Sequence, residues 1–67
     1  MSVAKVIELS SSSTEGFEDA ISSGIERASK TIKGIRSAWI KEQSVVVEDN
    51  RIKEYRVDMK VTFVLHE

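Results

Sequence analysis

The 67-residue chain has no cysteine and a single histidine, His66. Disulfide staples are excluded, and a histidine- or cysteine-based structural metal has only one donor to hold it. These absences matter because a domain of this length buries only about 60% of the surface its unfolded chain exposes. Small scaffolds compensate with disulfides, a metal or association with further copies of themselves. Self-association is the remedy left open.

Charge of one sign is also lacking, since ten lysines and arginines face eleven acidic residues, for a formal net charge of −1. Without a basic field there is no electrostatic footprint for nucleic acid. No stretch approaches the roughly 20 apolar residues of a membrane span. The segment Met1-Ser2-Val3-Ala4-Lys5-Val6 has neither a long apolar run nor a small-residue cleavage site. The expectation is a cytoplasmic protein that contacts neither nucleic acid nor membrane; the missing cysteines fit a reducing compartment.

Catalytic groups are scarce as well. His66 stands beside Glu67 and reads as a tail residue, while Ser10 to Ser13, Ser22 and Ser23 have no histidine placed to activate them. A Gly-rich phosphate loop is missing too. The chain is not expected to be an enzyme.

The residues that are present form one domain, 1–67, with a period that changes twice. Val3, Ile7 and Leu9 alternate with Ala4 and Val6, which predicts a short first strand apolar on both faces and covered on both sides. Ser10-Ser11-Ser12-Ser13-Thr14 then reads as a loop, because serine and threonine side chains compete for backbone hydrogen bonds. From Thr14 to Ile32 the apolar residues Phe17, Ala20, Ile21, Ile25, Ala28 and Ile32 fall on one helical face. Ser13 is the expected N-cap, Glu15 complements the positive end of the dipole, and Lys30 and Lys33 complement the negative end. Gly34 is the expected left-handed stop, and Gly16 and Gly24 each weaken the helix by about 1 kcal/mol relative to alanine.

A hairpin follows. In its second arm Tyr55, Val57, Met59, Val61, Phe63 and Leu65 alternate with Glu54, Arg56, Asp58, Lys60 and Thr62, so one face is core and the other polar. The first arm runs from Ser37 to Glu48, and Asp49-Asn50 suits a two-residue turn because both tolerate positive φ. Pairing Glu48 with Arg51 makes partner numbers sum to 99. Trp39 then faces Lys60, Lys41 faces Asp58 in a cross-strand ion pair, and Gln43 faces Arg56, all on the polar face. Ala38 meets Val61 and Ile40 meets Met59 on the core face.

The fold class expected from these elements is α+β: a β-α-β-β chain whose three-stranded antiparallel sheet, order 1-3-2, partly wraps one amphipathic helix. The hairpin arms are longer than the helix and first strand can cover. Their projecting part carries Val45, Val46, Val47 and Ile52, an aggregation hazard unless a partner covers it.

Val6-Ile7-Glu8-Leu9, Phe17-Glu18-Asp19-Ala20-Ile21, Ile25-Glu26-Arg27-Ala28, Trp39-Ile40-Lys41-Glu42-Gln43 and Glu54-Tyr55-Arg56-Val57 stand in an order and spacing that resemble the dodecin family. The resemblance implies a homododecameric shell that stores or sequesters a flavin, riboflavin or FMN, stacked on a tryptophan, without turning it over. It also exposes two departures. Counting back nineteen residues from Arg56, which stands where flavin-binding members have glutamine, gives Ser37 where their stacking tryptophan stands. Trp39 lies two residues further along the same face. The implied ligand positions are therefore Ser37, Trp39, Gln43 and Arg56, with Arg56 suited to a flat ring, a phosphate or a carboxylate.

A second branch of the family is similar in its Tyr-Arg pair and includes calcium-binding members. Calcium takes about six to eight oxygens. Glu42, Glu48, Asp49 and Asp58 are the candidate donors, but no local loop has calcium-ligand spacing, so such a site is assembled between subunits. The alternative to flavin storage is thus a calcium-binding or purely structural dodecamer.

Overall fold

Apolar alternation predicts which residues of the last strand are buried, and Val57, Met59 and Val61 are the largest fully buried side chains among the described residues. The computed structural model describes residues 3–65; His66, expected as a tail residue, lies outside them. Four elements follow one another: β1 (Val3–Ser13), α1 (Phe17–Ser29), β2 (Ile35–Glu48) and β3 (Arg51–Leu65). The sheet has the expected order β1-β3-β2, with β3 antiparallel to both neighbours. Helix α1 packs Phe17, Ala20, Ile21 and Ile25 against the Val57-Met59-Val61 row, joined by Ile7 and Leu9 of β1. Full burial of three such side chains contributes about 1.5–3 kcal/mol each before ordering entropy is set against it.

Several boundaries differ from expectation. The serine segment is strand, not loop: Ser10, Ser11, Ser12 and Ser13 pair with Asp58, Val57, Arg56 and Tyr55. The long neighbour β3 offers a ladder partner at every step, and this outweighs the turn preference of serine. Helix α1 consequently starts at Phe17 with Gly16 at the N-cap and no side-chain cap. The Ser13 hydroxyl instead accepts the Glu15 N–H at 2.9 Å and donates to the Asp19 carboxylate at 2.6 Å. Glu18 and Asp19, rather than Glu15, occupy the first turn. The far end is shorter too, because Thr31 and Ile32 both donate to the Ala28 carbonyl and close the last turn. Gly34 does adopt positive φ, at 80°, but as the entry to β2, where its carbonyl accepts from the Val64 N–H.

Gly24 turns from a weakness into a requirement. A Cβ there would stand 2.6 Å from the Met59 methyl and 3.0 Å from the Ser11 Cβ, so the helix approaches the sheet where a side chain is missing.

Asp49 and Asn50 form the expected turn, both with positive φ. After an extra residue at Arg36, the register sums to 99 from Ser37↔Thr62 to Ile40↔Met59 and again at Val47↔Ile52 and Glu48↔Arg51. Between them it is displaced by one. Lys41 is an extra residue on β2 and Lys53 an extra residue on β3, so Glu42, Gln43 and Ser44 face Asp58, Val57 and Arg56. The expected pairs Lys41–Asp58 and Gln43–Arg56 do not form. From Lys41 to Ser44 the first arm is polar on both faces and from Val45 to Val47 it is valine on both, so a one-residue slip trades like for like.

Coverage is uneven. The helix lies over β1 and β3, and the helix-side face of β2 is left open at Ala38, Gln43 and Val45. On the other face Val6 of β1 is exposed, contrary to the expectation of a strand covered on both sides. The hairpin tip projects as expected, giving principal extents of 52 × 20 × 13 Å, with Val47 and Ile52 at 59% and 52% exposure and Val46 half-buried.

Candidate functional site

The sheet face away from the helix gathers the chain's exposed aromatic and its charged rows. Alternation along three paired strands places Ser37, Trp39, Glu42 and Ser44 of β2 beside Thr62, Lys60, Asp58 and Arg56 of β3. The next column holds Val6, Glu8, Ser10 and Ser12 of β1.

Trp39 is 73% exposed and lines a small hollow of about 100 Å³ with Lys41 and Lys60. Lys41, the bulged residue, reaches across β3 to the Glu8 carboxylate at 3.5 Å. Among the described residues no carboxylate lies within ion-pair distance of Lys60. An indole face flanked by two ammonium groups suits a flat, electron-poor or anionic ring. Ser37 occupies the adjacent position on the same face, two residues or about 7 Å along the strand, and offers a hydroxyl without stacking area.

Arg56 lies on that face as well, but four residues from Lys60, about 13 Å along β3. It belongs to a second feature, a cleft of about 350 Å³ lined by Ser10, Ser11, Ser12, Ser44, Arg56 and Asp58. Its Nε donates to Glu54 at 3.1 Å, and Ser10 Oγ donates to Asp58 Oδ1 at 2.6 Å. The Arg56 guanidinium, then the Ser12 hydroxyl, hold the Glu54 carboxyl below its ordinary value of 4.5.

The expected ligand residues are therefore only partly gathered. Trp39 and Ser37 are neighbours, Arg56 is set apart on the same face, and Gln43 stands opposite Val57, on the helix side of the ribbon. The expected calcium donors separate likewise: Glu48 pairs with Lys53 at 2.9 Å, Asp49 sits in the turn, and Glu42 and Asp58 face each other. Among the described residues no three acidic or histidine side chains converge. What the sequence pattern hid is the hydroxyl row. Ser10, Ser12 and Ser44 reach the site only because the serine segment is strand and the bulge brings Ser44 opposite Arg56.

A family model described as Dodecin matches residues 3–66. The chain belongs to the dodecin family. The dodecin of Thermus thermophilus is 37% identical over 65 residues, spanning 97% of this chain and 94% of its own. Calcium dodecin of Mycobacterium tuberculosis is 33% identical over 63 residues, 94% of this chain and 89% of its own. The crystal structure of a T. thermophilus dodecin point variant superposes with a TM-score of 0.95 at 36% identity, covering all of both chains. The dodecin from Streptomyces davaonensis gives 0.95 at 33% identity over 98% of this chain and 97% of its own. The M. tuberculosis calcium dodecin, described as calcium chelating with a novel calcium-binding site, gives 0.83 at 31% identity over 96% of this chain and 91% of its own. Among the described residues no helix is long and apolar enough to cross a membrane.

Proposed function

We propose that the chain is a non-catalytic, homododecameric dodecin that stores or sequesters a flavin, riboflavin or FMN, with Trp39 as the ring platform. The observation that carries this reading is the Trp39 indole, the most exposed large apolar side chain of the described residues, which lines a hollow with Lys41 and Lys60 on the uncovered sheet face. Stacking there buries apolar surface and adds about 0.5–1.5 kcal/mol of aromatic contact. Ser37 leaves room beside the platform, and Arg56 contacts the polar end of the ligand. Gln43 has no part in this version of the site.

Self-association is supported by surface. The chain exposes 5263 Å², whereas a compact 7.5 kDa monomer exposes about 4,200 Å². Val45, Val47 and Ile52 at the tip are among the exposed large apolar side chains. Light scattering after size exclusion is expected to give about twelve chain masses; a folded monomer at micromolar concentration refutes the assembly.

Titration with riboflavin and FMN tests the ligand. Flavin fluorescence is expected to be quenched at micromolar protein, and Trp39→Ala to abolish the quenching. Wild-type protein that leaves both flavins fluorescent refutes the reading.

One observation favours the calcium reading instead. Glu42 and Asp58 stand opposite each other across β2 and β3, a carboxylate pair without a lysine or arginine in ion-pair distance among the described residues. Two carboxylates fall short of calcium's oxygen count, so further copies complete the shell. Calorimetry with calcium, with a chelator control, is expected to show saturable heat under this reading and none under the first.

A further inference from the structure

We propose that the middle of the hairpin is a two-register element, in which the segment Glu42 to Val46 of β2 steps one residue along β3 and thereby re-aims the tip. The structure holds one of the two registers. Glu42, Gln43, Ser44, Val45 and Val46 face Asp58, Val57, Arg56, Tyr55 and Glu54, one residue out of step with the pairs on either side. The extra residue on β2, Lys41, is matched by one on β3, Lys53, so this segment alone can step back into line with its flanks. Neither the Asp49-Asn50 turn nor the pairs from Ser37 to Ile40 need move. A lone bulge has no such freedom, because annealing it drags the turn or the rest of the arm with it.

Continuing the flanking register gives the second set of pairs: Lys41↔Asp58, Gln43↔Arg56, Val45↔Glu54 and Val46↔Lys53. Opposing contributions bring the two sets close in stability. The register in the structure sets the Glu42 and Asp58 carboxylates opposite each other, a destabilising like-charge pair, and takes two residues out of the ladder. In its favour, Val45 meets the Tyr55 ring and Lys41 reaches Glu8 at 3.5 Å. The second register exchanges both contacts for Lys41 opposite Asp58 and Gln43 opposite Arg56. Little stands in the way of the step: β2 is an edge strand, α1 lies over β1 and β3, and four of the five residues are exposed, with Val46 half-buried. A one-residue step turns each side chain to the other face. Without the bulges their added twist is lost, and the tip leaves the body in a second direction.

Disulfide trapping on the assembled protein distinguishes the registers, because the chain has no cysteine of its own. Ser44→Cys with Arg56→Cys joins residues that face each other in the structure. Gln43→Cys with Arg56→Cys joins residues on opposite faces, which meet only after the step. Ala38→Cys with Lys60→Cys has the same opposed geometry in a stretch that keeps its register, and reports general opening of the ladder. Under mild oxidation, followed as loss of both thiols without a covalent chain dimer, the first two pairs are expected to close and the third to stay reduced. Adding Glu42→Gln to the Gln43–Arg56 pair removes the like-charge contact that favours the step, and should slow closure about two- to five-fold. A Gln43–Arg56 pair that stays reduced while Ser44–Arg56 closes overturns the proposal. So does one that closes no faster than Ala38–Lys60.

Discussion

Along β3 the segment from Val57 to Val61 and the segment from Arg51 to Tyr55 both turn apolar residues to the same face of the sheet, yet they meet different fates. In the first, α1 lies across the strand and Val57, Met59 and Val61 are lost to solvent. In the second the helix reaches only Tyr55, through the edge of Phe17 at 5.1 Å between ring centroids, and Ile52, its partner Val47 and Val45 remain exposed. A period-2 pattern specifies a face and leaves open what covers it. For one end the cover comes from the same chain; for the other, under the proposed function, it comes from another copy.

Truncating each end separates the two. Met59→Ala opens a cavity under the helix and is expected to cost about 2–5 kcal/mol, read as a lower denaturation midpoint with unchanged slope. Val47→Ser with Ile52→Ser should change stability little at concentrations where the chain is monomeric. It should disrupt assembly, since each covered aliphatic side chain is worth about 1.5–3 kcal/mol. A reduced mass in light scattering checks this, and a double variant that still assembles fully shows that the tip is not an interface.

A smaller effect comes from the point where helix and sheet touch. Gly24→Ala gains about 1 kcal/mol of helix propensity but drives a methyl into Met59 and Ser11, an overpacking cost of about 1–3 kcal/mol. The expected net result is a loss of about 1 kcal/mol, and a stabilised variant shows that Met59 gives way.

The smallest effect is electrostatic. Because Arg56 lowers the Glu54 pKa in the folded chain, this contact stabilises the fold above 4.5 and its contribution fades as pH falls through the folded value. An NMR titration should place the Glu54 midpoint below 4.5, and Arg56→Gln should return it toward 4.5.

How much of this was legible beforehand depends on how strongly each segment discriminates between its faces. The β3 alternation, the helical face from Phe17 to Ala28 and the Asp49-Asn50 turn each offer one low-energy solution, and all three stand as read. The serine segment does not discriminate, since serine serves a turn, a cap or an edge strand, and only the length of β3 decides among them. The arm beyond Ile40 is equally permissive, so its slip at Lys41 is invisible in the pattern. The site inherits this. Trp39 and Arg56 lie on the face away from the helix as the alternation predicts, whereas Gln43 stands opposite Val57 and Ser44 stands opposite Arg56.

Of the three extra residues in the hairpin ladder, Arg36, Lys41 and Lys53, the last two stand on opposite arms and cancel in number but not in shape. Each bulge sharpens the local right-handed twist of its strand, so the tip leaves the body at an angle set by two residues that are buried nowhere. Under the proposed assembly, the direction in which one protomer points at its neighbour is thus written as arithmetic: a count of residues between the bulges, independent of the chemistry at the surface where they would meet.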